Sequence, residues 1–172
     1  LRQHARALTN QHLDTWHHVV LDARQPLRYR WQAALLILEA KQKRSLPTLK
    51  RLLLDRIERL RGAALIGLAF IDGLDQYAWI NEARTQERHH TVRIAAMIAD
   101  AWVLKDPLAQ RYALQSACHR VSTRWLQRLL WSTLALQPSL QELPILACLF
   151  RYGNADLQRD TLRLLAYMPP SL

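Results

Sequence analysis

The histidines and cysteines are the side chains best suited to bind a metal or to pair a nucleophile with a base. Six of them form adjacent pairs: His17-His18, His89-His90 and Cys118-His119. Adjacent residues on a helix point about 100° apart, which makes a poor chelate, and Cys118 has no obvious partner to orient it as a nucleophile. The chain has no HExxH motif and no Gly-rich phosphate loop. We therefore expect a protein that is not an enzyme, with no catalytic residues, no metal and no cofactor.

Binding of an anion is a second kind of chemistry open to this chain. Its 172 residues include 24 Lys and Arg against 14 Asp and Glu, for a net charge of +10. A strongly basic, arginine-rich chain favours a nucleic-acid partner. Basic residues on solvated helix faces or in structural pairs would give the same charge, so nucleic acid is our second choice of partner. The candidate anion-binding residues, around the first predicted connector, are Arg24, Lys41, Lys43, Arg44, Lys50 and Arg51.

Acids and arginines also recur at a regular spacing. An acid precedes an arginine by six residues three times, in Asp22–Arg28, Asp55–Arg61 and Glu87–Arg93. The three arginines are 33 and 32 residues apart, and the register continues to Arg124 and Gln158. Self-similarity at about 20–50 residues indicates a solenoid of stacked repeats. Each unit holds two helical patterns, so the predicted repeat is a helical hairpin.

The repeat resembles the HEAT repeat of armadillo-type α-solenoids. Pro47 and Pro144 lie fourteen residues before Arg61 and Gln158, and Arg61 opens the stretch RGAALIGL. The resemblance covers roughly residues 9–168 and implies an all-α, right-handed α-solenoid of about five hairpins. It also implies a structural ladder, in which each arginine lies near a turn acid of its own or an adjacent unit. The predicted ladder residues are Asp22, Arg28, Asp55, Arg61, Glu87 and Arg93.

The pattern divides one domain, residues 1–172, into five units. These span about residues 9–40, 45–71, 74–104, 106–136 and 139–168. Hydrophobic periodicity predicts helices that begin near Asn10, Leu27, Leu46, Ile57 and Leu74. Periodicity alone permits one helix over Leu46–Ile71, but the repeat register predicts a break at Asp55.

The second helix of each of the first four units is apolar on almost all sides. A helix of this kind is covered on both faces, and in this architecture the second helices line the concave surface. We therefore expect a protein-protein interaction scaffold whose apolar groove holds a partner helix. The alternative is that another part of the same polypeptide covers the groove. The predicted groove residues are Tyr29, Ile66, Ile94, Ile98, Trp125 and Leu129.

The sequence also gives expectations about the cellular location of the chain. The sequence has no uncharged apolar stretch of about 18 residues, so we expect no membrane span and a cytoplasmic protein. Its start lacks an initiator Met and a signal-peptide hydrophobic region, and we interpret the chain as a segment of a longer protein. The sequence does not fix the oligomeric state.

Overall fold

The computed structural model of the chain describes residues 2–106, 108, 109, 112, 125, 147, 150, 151 and 155–166. This part of the chain is all-helical, without a strand, which confirms the predicted all-α class. A short 3-10 helix, Lys43–Ser45, precedes α3. The α-helices with described bounds are α1 (Arg2–Leu21), α2 (Leu27–Ala40), α3 (Leu46–Leu52), α4 (Glu58–Asp72), α5 (Tyr77–Gln86), α6 (His90–Val103) and α7 (Ala155–Ala166).

Two prolines and one acid mark the helix boundaries. Pro26 directly precedes α2 with φ −54° and ψ 140°, a place where its missing N–H costs no helical hydrogen bond. Pro47 lies in the first turn of α3 for the same reason. Because α3 ends at Leu52 and α4 begins at Glu58, the predicted break at Asp55 is confirmed.

The helices pack as successive hairpins. α1 packs on α2, α3 on α4 and α5 on α6, while α4 contacts both α2 and α6. Phe70 of α4 stacks on Trp102 of α6 with ring centroids 5.0 Å apart. At Gly67 an added Cβ would lie 2.7 Å from Leu38 of α2 and 2.8 Å from Leu49 of α3. The missing side chain therefore lets α4 approach both neighbours closely.

α4 and α6 are buried on almost all sides. Every residue from Gly62 to Ala69 is buried, and the buried residues of α6 extend from Thr91 to Val103. These are two of the four helices that the sequence shows as apolar nearly all round, and a helix of this kind belongs in a core. None of the described helices is both long and apolar enough to cross a membrane.

Two helices begin at other residues than the periodicity predicts. α1 begins at Arg2, ahead of Asn10, and α5 begins at Tyr77. Leu74 lies in the turn between α4 and α5 and is 75% exposed. Leu74 and Tyr77 keep the three-residue spacing of a helix face, which is why periodicity alone did not separate turn from helix.

Candidate functional site

The turns that lead into α2, α4 and α6 are built in the same way. In each, an acidic side chain accepts a hydrogen bond from the backbone N–H two residues later. An oxygen that satisfies a free N–H before a helix stabilises the turn. The acids are Asp22, Asp55 and Glu87, and the donor N–H groups belong to Arg24, Ile57 and His89, at 2.9, 2.9 and 2.8 Å.

An ion pair between Arg30 and Asp55 joins the first hairpin to the second. Arg30 of α2 is 4% exposed, and its Nη2 donates to Oδ2 of Asp55 in the turn before α4. Its Nε donates to the carbonyl oxygen of Val20 in α1 at 2.9 Å. A buried guanidinium needs such partners because an unpaired interior charge is costly. The Arg30 side chain thus ties α1, α2 and the next hairpin together.

Arg61 makes the corresponding contact between the second and third hairpins. Its Nε and Nη2 donate to the two carboxylate oxygens of Glu87 at 2.7 and 3.1 Å. Its Nη1 donates to the backbone carbonyls of Asp55 and Arg56 at 2.9 and 3.1 Å. Two parallel N–H···O bonds between a guanidinium and a carboxylate hold the two groups in one orientation, in addition to pairing their charges. Arg61 therefore holds its own turn and the next one.

Arg28 is not the partner of a turn acid. It is exposed, donates from Nη2 to the Tyr29 hydroxyl at 2.8 Å, and lies 4.6 Å from the centre of that ring. Arg30 follows Arg28 by two residues, which rotates its side chain by about 200° around the helix. It is this rotation that brings Arg30, and not Arg28, to Asp55.

The sequence does contain a regular spacing for both ion pairs, but it differs from the six-residue spacing used for the prediction. Arg30 precedes Asp55 by 25 residues, and Arg61 precedes Glu87 by 26. The six-residue spacing within a unit identified the turn acids but selected the wrong arginine in the first unit. Arg93, the third predicted ladder arginine, is exposed on α6.

The environment of Glu87 favours its charged form. Burial by itself would raise the pKa of this carboxyl, but hydrogen bonds from Arg61 and from the backbone N–H of His89 outweigh it. The pKa of Glu87 is therefore lower in the folded protein than its usual value.

We expect acid to weaken the fold through Glu87. A carboxyl with a lowered folded pKa contributes stability that is complete above its unfolded value, 4.5 for Glu87, and is lost as pH falls through the folded value. The Tm of the chain, followed from pH 7 to pH 3, should fall, and Glu87→Gln should make that fall shallower. Glu82→Gln, which alters an exposed carboxylate on α5, is the matched control. An equal change of slope in both variants would contradict this account.

Three of the predicted groove residues are core residues. Ile66, Ile94 and Ile98 are 0, 3 and 0% exposed. They are covered because α4 lies between α2 and α6, and α6 packs on both α4 and α5. The apolar stripe that they form is therefore filled by this chain's own helices and is not an open groove.

The other predicted groove residues have different surroundings. Tyr29 is 44% exposed beside Arg28, whereas Trp125 is 9% exposed. The Trp125 ring meets Trp31 edge-on with centroids 6.1 Å apart. It also lies against α4, where a Cβ added at Gly62 would be 2.2 Å from it. Leu129 lies outside the described residues.

The six predicted anion-binding residues do not form one free cluster. Arg24 and Arg51 are exposed, and Lys41 ends α2 in the left-handed conformation, with φ 47°. The other three have partners: Lys43 pairs with Asp72 at 2.7 Å, Arg44 approaches Asp14 at 3.9 Å, and Lys50 lies 5.1 Å from the Trp79 ring centre.

A cleft of about 330 Å³ opens between the turn before α4 and the end of α5. We name it the Leu54–Trp79 cleft, after its two most prominent apolar residues, which are 86% and 42% exposed. The cleft is not among the surfaces predicted from the sequence, although an apolar residue directly before the turn acid Asp55 was a signal for it. The cleft is lined by Leu53, Leu54, Trp79, Ala83, Glu82, Gln86, Glu87 and Arg88.

The described histidines are not arranged as a metal site. His17 Nε2 lies 3.0 Å from the Ser45 hydroxyl, and burial is the main cause that lowers the pKa of His17. No group of three His, Cys, Asp or Glu that could hold a metal ion occurs among the residues that the structure describes. Cys118 and Cys148 lie outside them.

Comparison of the chain with protein-family models, curated proteins and solved structures finds no match. Support for a function therefore comes from the chain itself, from its turns and from the Leu54–Trp79 cleft.

Proposed function

We propose that the chain is a non-enzymatic protein-binding module, built as a right-handed α-solenoid of about five HEAT-like hairpins. Contacts between successive hairpins in chain order support this architecture. So do the two ion pairs, Arg30–Asp55 and Arg61–Glu87, each of which runs from one hairpin to the turn of the next. In such arrays each repeat contacts its neighbours and the stack presents an extended binding surface.

The Leu54–Trp79 cleft is the observation that carries the binding proposal. Complete burial of a leucine side chain is worth about 1.5–3 kcal/mol relative to exposure, and Leu54 is 86% exposed. Tryptophan is among the residues that dominate binding energy at protein interfaces, and Trp79 lines the same cleft. A partner would gain by placing a large apolar side chain between these two.

The rim of the cleft fits a polypeptide as the occupant. Gln86 and Arg88 lie beside the apolar wall, and their side chains can donate to the backbone carbonyls of a bound segment. An apolar centre with a polar rim is the usual organisation of a protein interface. The occupant we propose is therefore a segment of another protein that carries one large apolar side chain.

A capture experiment with a matched control tests this function. The parent should capture a specific protein from nuclease-treated extract. The double variant Leu54→Ser with Trp79→Ala should capture at least tenfold less of that protein. Leu74→Ser is the control, because Leu74 is 75% exposed at the opposite end of α4. It should retain that protein. Circular dichroism should show that both variants fold, since exposed substitutions change stability little.

Two results would contradict the proposal. One is a folded double variant that keeps every protein the parent captures. The other is an equal loss from Leu54→Ser with Trp79→Ala and from Leu74→Ser, which would indicate non-specific adhesion of exposed apolar residues.

A further inference from the structure

Exposed arginines gather where α2, α4 and α6 begin. The ion pair Arg30–Asp55 joins the start of α2 to the turn before α4, and Arg61–Glu87 joins the start of α4 to the turn before α6. The three helix starts therefore share one edge of the described helices. Six further arginines at this edge are exposed. We call them the arginine row, and they are Arg24, Arg28, Arg56, Arg59, Arg88 and Arg93.

Few carboxylates compensate the arginine row. Asp55 and Glu87 are already paired, which leaves Asp22 and Glu58 in these three segments. Glu58 lies 4.0 Å from Arg59. Within these three segments, six guanidinium groups against these two carboxylates leave an excess of four positive charges.

Helix stability does not explain these charges. Arginine in the first turn of a helix opposes the helix dipole, which favours acids there. α2 and α6 nevertheless have no acid in the first turn and carry Arg28 and Arg93. A charge pattern that opposes local stability and recurs in stacked helices is typical of a functional surface.

We propose that the arginine row binds the phosphate backbone of single-stranded nucleic acid. Neighbouring helices pack about 10 Å apart, so the row spans about 20 Å, enough to meet several successive phosphates. The planar guanidinium bonds phosphate through two N–H groups at once, which a lysine cannot do. The guanidinium groups themselves, and not the helix ends, are the ligands.

An aromatic side chain beside the arginine row favours a single strand over a duplex. Tyr29 is 44% exposed and lies next to Arg28. Sites for single strands combine cations that follow the backbone with aromatic rings on which bases stack. This activity goes beyond the proposed protein binding, because Tyr29 and five arginines of the row lie outside the Leu54–Trp79 cleft, which only Arg88 shares.

Fluorescence anisotropy on the whole chain tests the proposal. The probes are labelled 20-nucleotide oligo(U) and oligo(dT), which separate RNA from DNA, at salt concentrations from 50 to 300 mM. The row variant combines Arg28→Gln, Arg59→Gln and Arg93→Gln. We expect it to bind at least tenfold more weakly than the parent. The slope of log affinity against log salt should shrink by about 2, because each lost phosphate contact contributes about 0.7 for single strands.

A control that removes three exposed charges elsewhere makes the test specific. It combines Lys105→Gln, Arg159→Gln and Arg163→Gln, and it should bind within twofold of the parent. Circular dichroism should show that both triple variants are folded. Equal losses in the two triple variants would overturn the proposal, and so would no binding by the parent at 50 mM salt. Row-dependent binding to vesicles of anionic lipid without binding to either oligonucleotide would overturn it as well.

Discussion

A chain with Ile98→Glu should fail to form the packed helices. Ile98 is fully buried on α6, which packs on α4 and α5. Among the described residues of α4, α5 and α6 none that is buried carries a positive charge, and an unpaired buried charge costs several kcal/mol. We expect a loss of at least about 4 kcal/mol, a large part of the stability of a domain of this size. Far-UV circular dichroism and urea unfolding measure it.

Leu74→Glu is the matched control for this prediction. It makes a similar change from an aliphatic residue to Glu, at a residue that is 75% exposed in the turn after α4. It should unfold at nearly the same urea concentration as the parent. If Ile98→Glu also unfolded like the parent, Ile98 would face an open groove and the buried arrangement of α6 would be refuted.

Asp55→Ala should be the most damaging change at the turns. It leaves the Arg30 side chain, which is 5% exposed, without its carboxylate, and it removes the acceptor for the Ile57 N–H. Loss of one partner from a buried ion pair costs about 3–5 kcal/mol, because the remaining charge is uncompensated. Urea unfolding at pH 7 would measure this loss as a change in the free energy of unfolding.

Asp22→Ala provides the comparison within the same fold. Asp22 holds the equivalent turn through the Arg24 N–H, but no described ion pair joins it to a neighbouring hairpin. Its replacement should therefore cost much less than that of Asp55. Equal losses in the two variants would mean that the turn hydrogen bond, and not the pair with Arg30, accounts for the stability.

The recurring acids were predictable because a turn acid acts locally. A side chain that caps a backbone N–H two residues later needs only a fixed position in the chain, so Asp22, Asp55 and Glu87 repeat visibly. The same regularity predicted the break at Asp55 against the continuous helical periodicity around it. The start of α2 at Leu27 was also predicted, because Pro26 directly precedes that helix.

The arginine partners were harder to predict because they depend on helix rotation. Arg28 and Arg30 are both close to Asp22 in sequence, and only the packing of α2 against the second hairpin decides which one faces Asp55. The apolar stripe raises the same difficulty. Periodicity shows that Ile66 and Ile98 must be covered, but it does not show by what, and neighbouring helices of the chain cover them.

The cleft and the arginine row escaped prediction because each is assembled from separate turns. Leu54 and Trp79 belong to different hairpins, and no spacing connects them. The predicted basic cluster lies around the connector after α2, where Lys43 in fact pairs with Asp72. A surface formed by three distant segments becomes visible only when the ion pairs between hairpins fix their order.

The most direct test of this account is a double-mutant cycle on Arg30 and Asp55, since the central claim is that an arginine of one hairpin holds the turn of the next. The free energy of unfolding is measured for the parent, Arg30→Met, Asp55→Ala and the double variant. Contacting pairs show interaction energies of about 0.5–3 kcal/mol, whereas independent sites add within about 0.5 kcal/mol. We predict a coupling of at least about 1.5 kcal/mol, because the Arg30 side chain is buried and that of Asp55 is mostly buried. Additive losses would contradict the claim that this pair joins the two hairpins.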